Sequence, residues 1–293
     1  MAAAIPASAV VDWNFKTRRW VFSSSSSSRV QLVPVGLAHQ FTRLSSYLFA
    51  LVFPDDCRVC GQPLEEVSRV PVCRPCLRLP TPLVADYFCV SCRTPFANHF
   101  PLDASGRCAL CRGNLQGFDA AYAFGSYEGA LRELIHLFKY GRVRTLARPL
   151  AGHLVLAFPR EERFDVIVPM PLHWFRRWQR GFNQSALLAK EIGRRSGLPV
   201  IQAARRKRPT APQAGLSNAR RRVNVAGAFA PARRHSVRGL RVLLIDDVLT
   251  TGSTASACAR TLKNAGARYV AILTLARADR RFGAAGRSPQ GVA

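Results

Sequence analysis

Acidic side chains are in short supply in this chain: 17 Asp and Glu stand against 43 Lys and Arg, a formal net charge of +26 over 293 residues. Lysine is rare too, so the charge is almost wholly arginine. A balance this basic suits phosphate-bearing ligands, nucleic acid or an anionic membrane surface. A plain compositional leaning toward arginine gives the same sum. Long apolar runs are also missing. The stretch 37–53 is amphipathic, with Phe41, Leu44, Leu48, Leu51 and Val52 at roughly helical spacing, but its continuous apolar part is far too short to cross a bilayer. No transmembrane segment is expected. A secretory leader fits poorly, because the first residues lack positive charge and no compact apolar run ends at a small-residue cleavage site. Segment 1–36 shows no clear periodicity and contains the serine run 23–28, which cannot build a core. Its Arg18, Arg19 and Arg29 with a single acid, Asp12, give it a faint transit-peptide composition. It reads as a disordered extension, and 279–293 reads as a flexible tail.

Cysteine, by contrast, is plentiful and patterned. Eight of nine fall into C-x-x-C pairs: Cys57 and Cys60, Cys73 and Cys76, Cys89 and Cys92, Cys108 and Cys111. Each pair places two thiolates on one tight turn, and two turns complete a tetrahedral sulfur site. All-cysteine sites leave no open catalytic position, so structural zinc, two ions in all, is expected in a reducing compartment. Iron–sulfur chemistry would use the same soft ligands. Sequential pairing would give two tandem ribbons; crossed pairing would give an interleaved fold. The ninth cysteine, Cys258, sits in a later helical pattern and reads as a small core residue. With the amphipathic stretch, the pairs define a module at 37–115.

From residue 116 to 278 the pattern alternates. Strands are expected at 120–124, 164–168, 199–203, 239–245 and 269–275. Helices are expected at 128–140, 146–158, up to about 195, and 253–265. That order predicts an α/β fold with a parallel sheet flanked by helices, and ligands beyond the strands' C-terminal ends. The central stretch runs Val242-Leu-Leu-Ile-Asp-Asp-Val-Leu-Thr-Thr-Gly-Ser-Thr254. An apolar strand leads into two carboxylates, then a hydroxyl-rich loop, then a helix. Loop N–H groups and a helix N-terminus make a nest for a phosphate dianion. Thr250, Thr251, Ser253 and Thr254 can donate to it, and Gly252 permits the close turn. Asp246 and Asp247 would repel a phosphate head-on, but beside it they would accept hydrogen bonds from vicinal sugar hydroxyls, as a 5-phosphorylated ribose offers.

Two other stretches stand out. Residues 205–238 are dense in arginine and contain no acid, as a solvated loop or a flap closing over a polyanion would be. Trp174, Phe175 and Trp178 stand among Arg176, Arg177 and Arg180, as a stacking platform for unpaired bases or as the core face of a helix.

The stretch 244–254 resembles the phosphoribosyl-pyrophosphate (PRPP) motif of type I phosphoribosyltransferases. From about 44 to 276 the chain is similar to the ComF family of competence-associated, phosphoribosyltransferase-like proteins. The likeness rests on the cysteine pairs, Leu134-Ile135 with Lys139-Tyr140, Val168-Pro-Met-Pro-Leu-His173, Arg180-Gly-Phe-Asn-Gln184, Arg208-x-Thr210-x-x-Gln213, Gly227-Ala-Phe229 and the motif itself. Met170 stands where the family usually has valine. An arginine–asparagine pair of the family matches Asn224 with either Arg221 or Arg222. The resemblance implies that Asp246 and Asp247 bind ribose hydroxyls and that 250–254 cradles the 5-phosphate. Pro169, Met170, Pro171 and Leu172 would form the pyrophosphate loop, with Arg180 close by. Arg208, Gln213, Arg221 and Arg222 would lie on the flexible loop. It further implies Mg²⁺ bound with PRPP, cytoplasmic location, and a role in DNA uptake or related nucleic-acid handling beside single-stranded DNA and uptake or helicase proteins. The alternative is an active phosphoribosyltransferase of unknown acceptor. No nucleobase-recognition element is legible, and the cysteine module occupies the chain position where this class places the hood that recognises the acceptor.

Overall fold

The computed structural model describes residues 10–14, 19–23, 56–64, 69–96, 99, 102–112, 117–208, 225 and 227–278. Its centre is a four-stranded parallel sheet in the order β5-β10-β9-β6, formed by β5 (Ala120–Ser126), β6 (Val166–Pro169), β9 (Arg241–Leu249) and β10 (Tyr269–Arg277). These strands are near-continuous apolar runs, as a sheet covered on both faces requires. Alternation along β9 decides which layer each residue serves. Leu243 and Ile245 belong to the core with α3 (Gly129–Lys139), α4 (Ala147–Leu156) and α6 (Gln184–Ser196), while Val242 and Leu244 belong to the core with α7 (Ser253–Asn264). Leu131, Leu134, Ile135 and Phe138 give α3 a single buried face at helical spacing. Removing a fully buried leucine or phenylalanine there would cost about 2–5 kcal/mol. Cys258 is wholly buried in the α7 layer, the small core residue expected of it.

The cysteine-rich part is built from short pieces. These are α1 (Arg74–Arg78), the two-residue strands β3 (Tyr87–Phe88) and β4 (Pro95–Phe96), and α2 (Ala109–Arg112). The connector between its halves crosses β5, where Leu83 N–H donates to the Phe124 carbonyl at 2.6 Å. Gly125 admits it: a Cβ there would lie 2.7 Å from the Thr81 carbonyl oxygen. Among the described residues no helix is long and apolar enough to cross a membrane.

Three details depart from the sequence reading. The carboxylate pair does not follow its strand. β9 runs on through Asp246 and Asp247 to Leu249, because Asp246 stays in register with Thr274 and Val248 with Ala276 of β10. The strand expected at 199–203 is reduced to one parallel bridge, Val200 to Ile167. The chain then pairs as β7 (Ala204–Arg206) with β8 (Phe229–Pro231), antiparallel. Part of 1–36 is regular: β1 (Val10–Asn14) and β2 (Arg19–Ser23) form an antiparallel pair, in keeping with their β-branched and aromatic content. The amphipathic stretch 37–53 lies outside the described residues.

Candidate functional site

The C-terminal ends of β6 and β9 open into a cleft of about 450 Å³. Asp246, Asp247, Thr250, Gly252, Thr254, Met170, Pro171, Leu172 and Arg180 all line it. Thr251, Ser253 and Pro169 are not among its lining residues, though they belong to the same loops. Gly252 adopts φ +75° and caps α7, the left-handed turn that glycine permits. The Thr251 and Ser253 hydroxyls lie 3.0 Å apart in the same turn. On the β6 side, Met170 N–H donates to the Ile245 carbonyl (2.9 Å), and Asn183 Nδ2 donates to the Met170 carbonyl (3.0 Å). The loop after β6 is therefore pinned from both β9 and the start of α6. Arg180 Nη1 donates to Gln184 Oε1 at 3.2 Å, and its guanidinium lies 5.2 Å from the Tyr140 ring centroid.

The two carboxylates have different surroundings. Asp247 is buried and paired with Lys139: Nζ to Oδ1 is 2.8 Å, with both side chains only 12–13 % exposed. Asp246 Oδ1 accepts from Ser185 Oγ (3.0 Å) and from the Asp247 N–H (2.9 Å). Burial, reinforced by the adjacent Asp247 carboxylate, pushes the Asp246 carboxyl up to about 7. Burial alone would lower the Lys139 ammonium; Asp247 outweighs it, and the net direction is upward. Lys139 had a signal in the sequence, the Lys139-Tyr140 pair closing an apolar helix, but nothing in the pattern said that it reaches across to β9. Other lining residues without a prior assignment are Arg176, Ser185 and Arg206. Arg206 lies on β7, so part of the basic stretch is a strand at the cleft. Arg208 is at the edge of the described chain; Gln213, Arg221 and Arg222 lie outside it.

All eight paired cysteines gather into two tetrads, with sulfurs in each within 4.8 Å of one another: Cys57, Cys60, Cys73 and Cys76, then Cys89, Cys92, Cys108 and Cys111. The pairing is sequential. Sulfur separations of 3.7 Å between Cys60 and Cys73 and between Cys92 and Cys108 match the edge of a tetrahedron around a thiolate-bound ion, about 3.8 Å for metal–sulfur bonds near 2.3 Å. Backbone N–H groups of Cys73 and Cys108 point at Cys57 and Cys89 sulfurs, each at 3.3 Å. The donor sets fit a tetrahedral ion, and each tetrad can hold one. None of the nine cysteines is in a disulfide.

A parallel sheet with a carboxylate pair and a hydroxyl-rich helix-capping loop at its C-terminal edge is the architecture of a phosphoribosyltransferase fold. Residues 180–285 match the Phosphoribosyl transferase domain family. Competence protein F of Haemophilus influenzae is 34% identical over 179 residues, 58% of this chain and 78% of that protein. The DNA utilization protein YhgH of Salmonella typhimurium is 32% identical over 234 residues, 78% of this chain and 99% of that protein. The chain belongs to the ComF family of competence-related proteins with this fold. A solved structure of glutamine phosphoribosylpyrophosphate amidotransferase from B. subtilis is 25% identical with a TM-score of 0.31, covering 44% of this chain and 26% of that one.

Proposed function

We propose that the cleft binds a 5-phosphorylated ribose bearing pyrophosphate, together with Mg²⁺, in a protein that handles DNA during uptake or related processes. One observation carries the ligand: the acidic pair, the hydroxyl loop capping α7 and the loop after β6 all line one cleft. Asp246 and Asp247 accept from the ribose 2- and 3-hydroxyls. Thr250 to Thr254 hold the 5-phosphate at the N-terminus of a 12-residue helix. Met170 to Leu172 offer backbone, and Arg180 charge, to the pyrophosphate, whose negative charge Mg²⁺ shares. The tetrads hold structural zinc, consistent with all-cysteine ligation and no open position. The names of the relatives and the +26 charge support a nucleic-acid role. So does the exposure of Arg58, Arg74, Arg78, Arg93, Arg107 and Arg112 around the tetrads. Binding to single-stranded DNA should weaken steeply with salt.

A second reading, transfer of the phosphoribosyl group to an acceptor, is favoured by the paired carboxylates and the cationic fringe of Arg176, Arg180 and Arg206 at the cleft. The test of the first is calorimetry with ribose 5-phosphate and PRPP, with and without Mg²⁺. Both should bind, and PRPP should gain from the metal. If neither binds with Mg²⁺ present, the phosphoribosyl reading fails. Pyrophosphate release in the presence of candidate bases or oligonucleotides decides the second.

A further inference from the structure

Helix α5 (Trp174–Arg180) reads Trp-Phe-Arg-Arg-Trp-Gln-Arg, and none of its seven residues is buried. Trp174 is 71 % exposed, Phe175 44 % and Trp178 75 %, so these are not core residues. Trp174 and Trp178 are spaced i, i+4 and share a side of the helix. The rings of Phe175 and Trp178 stack with centroids 6.3 Å apart and planes 29° apart, and Trp174 meets Phe175 edge-on at 6.0 Å. The three rings form one aromatic face, which the described chain leaves largely open at Trp174 and Trp178 and partly covers at Phe175.

What holds the helix in place is polar and lies at its ends. His173 caps it by accepting from Phe175 N–H, and Gly181 ends it in a left-handed turn. Arg142 donates to the Gln179 carbonyl at 2.8 Å and Arg144 to the Gly181 carbonyl at 2.6 Å. The two tryptophan rings are therefore not what anchors α5. Among the described residues no ion pair joins Arg142, Arg144, Arg177 or Arg180 to a carboxylate. The face is thus a row of rings edged by cationic groups, and on its other side Arg176 and Arg180 line the cleft.

We propose that α5 is a base-stacking surface for single-stranded nucleic acid, with the strand's phosphates along Arg142 and Arg177 and its path leading to the mouth of the cleft. Every base offers a π-face to a ring, and arginine adds charge for the backbone, so this combination recognises unpaired strands without reading their sequence. A duplex keeps its base faces stacked on one another. An anionic bilayer also attracts aromatic and arginine side chains, but it presents no planar π-face to the row of rings, whereas every unpaired base does. The proposal rests on the reading that this chain handles nucleic acid and adds the surface that does so.

The test uses the full chain, a fluorescently labelled oligothymidylate of about twenty nucleotides, and two variants, Trp174→Ala with Trp178→Ala, and Arg177→Gln. All three residues are exposed, and ribose 5-phosphate binding serves as the check that the cleft is intact. The tryptophan variant should lose roughly ten- to hundredfold in affinity for the oligonucleotide, with its salt slope unchanged. Arg177→Gln should reduce that slope by about one. Wild-type affinity in the tryptophan variant overturns the proposal. So does equal dependence on the tryptophans for a duplex of the same length, or loss of binding to phosphatidylserine vesicles while oligonucleotide binding is kept. If the wild-type chain binds ribose 5-phosphate but no oligonucleotide, the nucleic-acid reading falls with the proposal and the phosphoribosyl reading stands.

Discussion

The two cysteine tetrads have the same ligands and nearly the same spacing, yet the fold uses them differently. In the first, Cys60 is exposed and Cys73 half-buried; in the second all four are buried. The first is fastened to the helical layer by ordinary polar links, Thr145 Oγ1 to the Arg69 carbonyl (2.7 Å) and the His153 ring to the Leu77 carbonyl (3.0 Å). Its Cys57, Val72 and Cys76 share a core with α3, whose last turn carries Lys139. The second is tied to the sheet itself. Arg277, at the end of β10 and level with Leu249 of β9, is buried and donates to the Cys92 carbonyl at 2.9 Å and to the Thr94 hydroxyl. The same four-cysteine ligand set thus makes a clip on one side and a piece of the sheet's end on the other. Each lies one step from the cleft, the first through Lys139 and the second through the end of β9.

The sharpest way to break this contrast is to remove a ligand from each. Cys111→Ser should cost one metal equivalent and lower the melting temperature by at least about 10 °C, because a buried structural site is folding energy. Cys60→Ser should cost one equivalent with a shift of only a few degrees. Metal analysis and calorimetry of both proteins decide it, and equal shifts would erase the distinction. Next in size is Lys139→Met, which strands Asp247 without its cation in a buried place. A loss of about 3–5 kcal/mol in urea unfolding is expected, with Lys139→Arg much milder; an indifferent Met variant would mean the ion pair does not carry the first tetrad's side to the cleft. Arg277→Met should cost about 2–4 kcal/mol by leaving the Cys92 carbonyl and Thr94 hydroxyl without their donor. Metal content should stay at two, which separates the tie from the site it ties.

Smaller effects concern ligand and proton. Asp246→Asn with Asp247→Asn should weaken ribose 5-phosphate by roughly 1.5–3 kcal/mol per contact, beside a loss of stability like that of Lys139→Met, because the Lys139 ammonium is left buried without its carboxylate. Equal loss for PRPP assigns the effect to the hydroxyl contacts; loss for PRPP alone assigns it to the metal. For pH, the Asp246 carboxyl is raised to about 7 in the folded chain, above the ordinary value near 4. Its contribution to stability is therefore fully present below about pH 4 and lost as pH rises through about 7. Asp246→Asn should flatten that part of the melting profile. Ligand binding to the ionised carboxylate runs the opposite way and should tighten as pH rises through about 7; a titration of ribose 5-phosphate affinity from pH 5.5 to 8.5 would reveal the crossing.

Much of this was legible in residue order. The parallel strands announce themselves as apolar runs, α3 by its single apolar face, and the tetrads by their doublets. What was hidden depends on contacts between distant segments. Pairing of the cysteine turns is a matter of which turns meet, and sequential and crossed solutions look alike in one dimension. The acidic pair looks like a strand end because charge usually marks one, yet β10 keeps β9 extended for four residues beyond Ile245. Trp174, Phe175 and Trp178 have helical spacing whether they face core or solvent, so only the surrounding chain could decide. Lys139 and Asp247 are more than a hundred positions apart, and Arg277 meets Cys92 across an even longer interval.

The Lys139–Asp247 pair has one further consequence. Asp247 already holds a cation from within the chain, so a sugar hydroxyl reaching it, as proposed, would not add a bond to an idle acceptor. It enters by exchange, competing with or joining an ammonium at 2.8 Å. The measured affinity is then a difference between two occupied states, and a sugar that brings one hydroxyl fewer leaves the original partnership undisturbed. On that footing, under the proposed ribose reading, any preference for ribose over deoxyribose is what the extra hydroxyl contributes less what the protein gives up.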